Sequence, residues 1–263
     1  MNDDHPRQLI ENAELILFDS DGVLVEEGDP LPGAIDLVEQ LINQGKKVVV
    51  LSNNSTKHPN TMKEQYQRKG LKITTIINSG ITTARYCRDH AINRVFVVGE
   101  WGLIDLLQEN QIHVTDSHPD AVIVGMDRDL TYEKLAVATR LIRSGATFIA
   151  TNPDRSFPTS RGLEPGAGSM IAAIAASSDI EPEVIIGKPN EFGYQLALKQ
   201  FELDPEQCVM IGDRYETDIL GALKAGIPAF VVNTGIASSR EYPGRWQDNP
   251  EVPVVQSLTD LLE

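Results

Sequence analysis

The chain has 263 residues, 41 % hydrophobic and 23 % charged, the balance of an ordinary globular protein with one large core or two modest ones. Its formal charge of −15, with no cluster of Lys or Arg, excludes the basic face that a nucleic-acid binder needs and disfavours a polyanionic substrate. No apolar run nears the roughly 20 residues of a membrane helix, and the polar, acidic N-terminus lacks the pattern of a secretory signal, so the expected address is the cytoplasm with no membrane partner.

Short β-rich runs alternate with helix-length segments along the whole chain. Leu15–Phe18 is a continuous apolar run, followed by a helical spacing over Ala34–Asn43 and a glycine at Gly45. Lys47–Leu51, Thr75–Ile77, Val95–Val98 and Ala121–Val124 read as further strands. A helix over Lys134–Ser144 closes at Gly145 before Thr147–Ala150. Then come strand Val184–Ile186, helix Glu191–Phe201, strand Cys208–Ile211, helix Asp218–Ala225 and strand Ala229–Val232. Unbroken apolar runs of this length suit strands buried on both faces of a parallel sheet, and Gly45, Gly70, Gly145 and Gly226 fall where a helix ends on a left-handed residue. The fold class is α/β.

An internal echo divides these strands between two sheets. Helix, Gly, strand and then Ser-Asn or Thr-Asn occurs at Gly45–Asn53 and again at Gly145–Asn152. The reading is a core built from residues 1–81 and 182–263, with a second α/β unit inserted at 82–181. Cys87 and Cys208 lie far apart in apolar patterns and are expected as buried free thiols; no CxxC or Cys/His cluster suggests zinc.

Ligands of open parallel sheets sit beyond the carboxyl ends of the strands. Asp19-Ser20-Asp21-Gly22 follows the first strand, Ser52-Asn53-Asn54 the second, Gly187-Lys188-Pro189 the run at 184–186, and Gly212-Asp213-Arg214 the run at 208–211, with Asp218 a turn further on. Carboxylates brought this close repel one another unless a cation offsets their charge. Magnesium, which prefers oxygen ligands and keeps several waters, suits such a site. Lys188, Ser52 and Asn53 supply donors for the oxygens of a phosphoryl group. Phosphoryl transfer needs mainly positioning, charge stabilisation and an in-line nucleophile, and a carboxylate can be that nucleophile.

The DSDGVL, SNNST, GKP and GDRYETD segments resemble, in order, the four motifs of the haloacid dehalogenase (HAD) superfamily. The match is similar to its NagD and p-nitrophenylphosphatase/phosphoglycolate-phosphatase branch, which carries an α/β cap between the second and third motifs. That resemblance implies a Rossmann-like HAD core, with Asp19 as nucleophile and Asp21 as general acid and base. It implies Mg2+ held by the Asp19 and Asp213 carboxylates and the Asp21 carbonyl. Ser52, Asn53 and Lys188 would bind phosphate with Asn54 alongside, and Asp218 would orient the metal's waters or Lys188. Family dehalogenases lack an equivalent of Asp21, so an acid there points to phosphate esters. The cap loop carrying Asp154, Arg155, Phe157 and Arg161 would contact the leaving group. Small phosphorylated metabolites are the implied substrates, and caps of this branch often contribute dimer contacts, which leaves a homodimer open. A phosphotransferase or mutase on the same fold, or a catalytically idle metabolite-binding protein, remains as the alternative.

Overall fold

The structure, a computed structural model, describes residues 5–234 and 252–262. In chain order the strands are β1 (Leu15–Phe18), β2 (Val25–Glu26), β3 (Asp29–Pro30), β4 (Lys47–Ser52), β5 (Thr75–Asn78), β6 (Arg94–Val98) and β7 (His113–Val114). They continue as β8 (Ala121–Val124), β9 (Thr147–Ala150), β10 (Ser156–Thr159), β11 (Gly162–Pro165), β12 (Val184–Ile185), β13 (Cys208–Gly212), β14 (Ala229–Val232) and β15 (Val254–Val255). The chain divides into two compact units. The first takes the described residues of Met1–Ser52, Met62–Ile77 and Lys188–Glu263, and the second takes Asn53–Thr61 and Asn78–Gly187.

In the first unit a six-stranded sheet has the order β15-β14-β13-β1-β4-β5. Its centre is parallel: Leu15 faces Cys208 on one side and Lys47 on the other, and Phe18 faces Ile211 and Val50. Successive strand residues point to opposite faces. Ile16, Phe18, Val48, Val50, Val209 and Ile211 therefore join one core, while Leu15, Leu17, Val49, Leu51, Cys208 and Met210 join another. Both faces are covered, which is why Leu15–Phe18 reads as an unbroken apolar run with every residue 0 % exposed. Each such side chain contributes about 2 kcal/mol of burial. Helix Ala34–Asn43 lays Ala34, Leu37, Val38 and Leu41 on the first core, the spacing of one helical face. Helix Phe192–Phe201 places Tyr194 and Ala197 in the second.

The second unit holds a five-stranded sheet of order β12-β9-β8-β6-β7, with Val95 facing Ala121 and Ala121 facing Thr147 in parallel register. Helices Tyr132–Arg143 and Ala167–Ser178 cover it through Ala138, Ile142, Met170, Ile171 and Ile174, which pack on Val122, Val124, Phe148 and Ala150. The first of these helices is capped by the Thr131 hydroxyl, which accepts from the Lys134 amide at 3.2 Å.

Several expectations need adjusting. The run at 184–186, expected as a core strand, pairs instead with β9 in the second sheet. Its apolar residues fit either sheet, and only the pairing partner distinguishes them. The helix expected at Asp218–Ala225 is a wide π-helical turn over Tyr215–Ile219 followed by an α-helix over Leu220–Lys224. The hairpins β2–β3 and β10–β11 and the short β7 and β15 leave no signature in the sequence, because strands of two residues have no period and β10–β11 carries Pro and Gly in a ribbon with no buried face among its described residues. Gly45, Gly70, Gly145 and Gly226 all adopt positive φ, at 80, 89, 104 and 76°. Both cysteines are free and buried, and burial pushes their thiols up to about 12 for Cys87 and about 11 for Cys208. Among the described residues no helix is long and apolar enough to cross a membrane.

Candidate active site

The first unit gathers its chemistry at the carboxyl ends of β1, β4 and β13. The Asp19 amide donates to the Ile211 carbonyl at 2.9 Å, extending the β1–β13 ladder by one bond and fixing where the Asp19 side chain leaves the sheet. Lys188 follows the last residue of the second unit. Its Nζ donates to Asp19 Oδ1 at 2.6 Å and to the Leu51 carbonyl at 2.8 Å, and lies 2.7 Å from Asp218 Oδ1. An ammonium has three hydrogens, so a triangle of three oxygens suits it.

Asp218 is only 1 % exposed and is held at several points. Its Oδ2 accepts from the Arg214 amide at 3.0 Å, and its backbone carbonyl accepts from the Tyr194 hydroxyl at 2.7 Å. Gly212 makes this approach possible: a Cβ there would lie 2.2 Å from the Cβ of Asp218. The π-helical turn delivers Asp218 back toward the strand end it has just left.

Asp19, Asp213 and Asp218 each offer a carboxylate oxygen, all within 4.8 Å of one another. Burial first, and then the neighbouring Asp218 carboxylate, push the Asp19 carboxyl up to about 7; Lys188 lowers it and Asp21 raises it further. Burial works to neutralise Lys188, yet the carboxylates of Asp19 and Asp218 outweigh it and hold the ammonium charged. Two buried acids and the half-buried Asp19, gathered around one ammonium, carry excess negative charge. An all-oxygen donor set of that kind fits a hard divalent cation and would bring Asp19 back to its ionised form. Asp21 sits in a turn bridged to Val25 with its side chain exposed.

The second motif divides between the units. Ser52, buried, ends β4 in the first unit, whereas Asn53 and Asn54 open the stretch that packs with the second. The Asn53 carbonyl accepts from Ser79 Oγ at 2.6 Å and Asn152 Nδ2 at 2.8 Å, and its own Nδ2 donates to Asp154 Oδ2 at 3.1 Å. Asn54 Oδ1 accepts from both the amide and the hydroxyl of Thr56, a side-chain turn. Asp154 is thus tied to a motif residue. The Arg155 carbonyl accepts from the Gly166 amide and the Ser169 hydroxyl. Phe157 lies in β10 opposite Glu164, and exposed Arg161, in the turn just before β11, pairs with that same Glu164 three residues on.

Residues outside the motifs contact residues that the sequence singles out. Arg128 is held by Glu100 at 2.7 Å and places its guanidinium 5.9 Å from the centre of the Phe157 ring. Tyr194 supports Asp218, and Tyr66 shares a hydrogen bond with Ser20. In sequence these are a charged loop residue and two aromatics inside helices, so no local pattern sets them apart.

Carboxylates and one lysine at the strand ends of a parallel core, with a second α/β unit inserted between motifs, define a class. A family model described as haloacid dehalogenase-like hydrolase matches residues 13–226, and the chain belongs to that family. It is an enzyme of the family's phosphatase branch. The acid sugar phosphatase of Staphylococcus aureus is 35 % identical over 251 residues, covering 94 % of this chain and 95 % of its own length. The 4-nitrophenylphosphatase from Thermotoga maritima matches with a TM-score of 0.89 at 31 % identity, covering 96 % of this chain and 97 % of that one. NagD from E. coli K-12 matches with a TM-score of 0.84 at 29 % identity, covering 94 % and 97 %.

Proposed function

We propose that the chain is a magnesium-dependent phosphomonoesterase of the cytoplasm that hydrolyses small phosphorylated metabolites through an aspartyl-phosphate on Asp19. The observation that carries this is the Lys188 ammonium bonded to Asp19 beside the buried Asp213 and Asp218. The staphylococcal relatives are named acid sugar phosphatases, which makes sugar phosphates the first substrate class to test.

Asp19 and Asp213, with the Asp21 carbonyl, would hold Mg2+, and the bound cation would neutralise phosphoryl oxygens and keep Asp19 ionised. Lys188, Ser52 and Asn53 would bind the phosphoryl oxygens with Asn54 beside them, and Asp218 would hold Lys188 in place. An Asp19 oxygen forms a bond to phosphorus as the ester P–O bond breaks, and Asp21 gives its proton to the departing oxygen. Asp21 then takes a proton from water, whose oxygen attacks the same phosphorus. Phosphate leaves and the Asp19 carboxylate is restored. Leaving-group selectivity is assigned to the second unit, as the counterpart of the family's cap, with Asp154, Arg155, Phe157 and Arg161 its candidates.

Asp19→Asn tests the mechanism. Release of phosphate from p-nitrophenyl phosphate and from sugar phosphates should fall below about one thousandth of the parent rate, with the fold intact by circular dichroism. Substantial Mg2+-dependent turnover by this variant would overturn the assignment.

A further inference from the structure

Asp21 differs from the other acids of the site in having an exposed side chain. Its direction therefore depends in part on how firmly the backbone of its turn is held. Part of that hold is local: the Gly22 amide donates to the Val25 carbonyl at 2.8 Å, and the Leu24 and Val25 amides both donate to the Ser20 carbonyl at 3.0 Å. A further part comes from far along the chain. On one side of Asp21, the Ser20 hydroxyl shares a 2.5 Å hydrogen bond with the hydroxyl of Tyr66, from helix Pro59–Arg68. On the other side, the Thr234 hydroxyl, two residues past β14, donates to the Gly22 carbonyl at 2.6 Å. Tyr66 is itself 6 % exposed and packed into the core that contains Phe18 and Val50, so its hydroxyl is a rigid anchor.

We propose that Tyr66 and Thr234 are positioning residues that clamp the turn on both sides of Asp21 and so aim its carboxyl at the leaving-group oxygen. The inference rests on the reading of Asp21 as the general acid. The hydroxyl of Tyr66 stays protonated, since burial and then the nearby Asp21 charge raise it above the ordinary phenol range. The anchor therefore adds no negative charge beside the acid. A general acid accelerates only when its proton lies within hydrogen-bond reach of the departing oxygen, so a loosened turn weakens protonation while leaving nucleophilic attack in place.

That distinction sets the experiment. Tyr66→Phe, Thr234→Val and the double variant keep nearly the same shapes, and kcat/KM is measured at saturating Mg2+ for esters whose leaving groups span p-nitrophenol to an alkyl alcohol. Hydrolysis of p-nitrophenyl phosphate, whose leaving group needs little protonation, should stay within about twofold. Hydrolysis of glycerol phosphate should fall by about tenfold in each single variant and further in the double. An equal loss for all esters, or no loss for the alkyl ester, overturns the clamp. Asp21→Asn, run in parallel, must show the same selective loss in stronger form; if it keeps full alkyl-ester activity, the acid role fails and the clamp with it. Selective loss in Asp21→Asn with no effect in the clamp variants overturns the clamp alone. Should Tyr66→Phe not fold, Ser20→Ala removes the same hydrogen bond from its other end.

Discussion

Lys188 is an ammonium with only 4 % of its surface exposed, and it lies 2.6 Å from one carboxylate and 2.7 Å from another. Removing one partner of a buried ion pair leaves charge without compensation and costs about 3–5 kcal/mol. Lys188→Met is therefore expected to lower unfolding stability by that amount in metal-free urea titrations, with Mg2+ restoring part of it by replacing the lost positive charge. Asp218→Asn keeps an oxygen for the Arg214 amide and relieves part of the acid–acid repulsion, so it should cost about 1 kcal/mol or less while still impairing turnover. A Lys188→Met protein as stable as the parent without metal would show that the pair contributes nothing. These residues were legible in the sequence because strand ends in a parallel sheet are where reactive groups collect. Tyr66, Tyr194 and Thr234 were not, since their roles arise from contacts across 46, 24 and 212 residues of chain, to Ser20, Asp218 and Gly22.

Glycines show at the element scale how the same residue type serves two purposes. Gly45 ends a helix with φ of 80° and open space where a Cβ would be, whereas Gly212 ends β13 with the Asp218 Cβ 2.2 Å from that position. Gly45→Ala should cost about 1 kcal/mol through backbone strain alone, with kcat unchanged. Gly212→Ala must displace Asp218 and the turn that carries it, so the expected loss is about 3 kcal/mol or more together with nearly all activity. Parallel thermal melts and phosphate-release assays on the two variants check the contrast, and equal effects would refute it. The helix-ending glycines could be read directly, because a glycine after an apolar helical period has a local cause. The sheet to which Val184–Ile185 belongs could not, because both sheets offer a doubly buried place for an apolar run. The chain's passage from the second sheet to Lys188 is a property of topology, and no window of sequence contains it.

For the whole molecule, the acid cluster links proton, metal and folding equilibria. The ordinary Asp19 carboxyl titrates at 3.8 and the folded one, without metal, at about 7, raised first by burial and then by Asp218. A carboxyl raised on folding binds its proton more tightly in the native state, so its stabilising contribution is full below pH 3.8 and is lost as pH climbs toward 7. The metal-free protein should accordingly lose stability across that interval and remain at the lower level above it. A divalent cation held by the native cluster would require ionised carboxylates, so below pH 7 it would have to displace the Asp19 proton and above pH 7 it would not. The rise in unfolding temperature on adding Mg2+ should thus be several degrees at pH 8 and near zero at pH 5, with EDTA reversing it. Asp19→Asn removes the proton competition and should leave a smaller, nearly pH-independent response. A parent protein whose Mg2+ response is the same at pH 5 and pH 8 would show that the Asp19 carboxyl does not couple metal binding to folding.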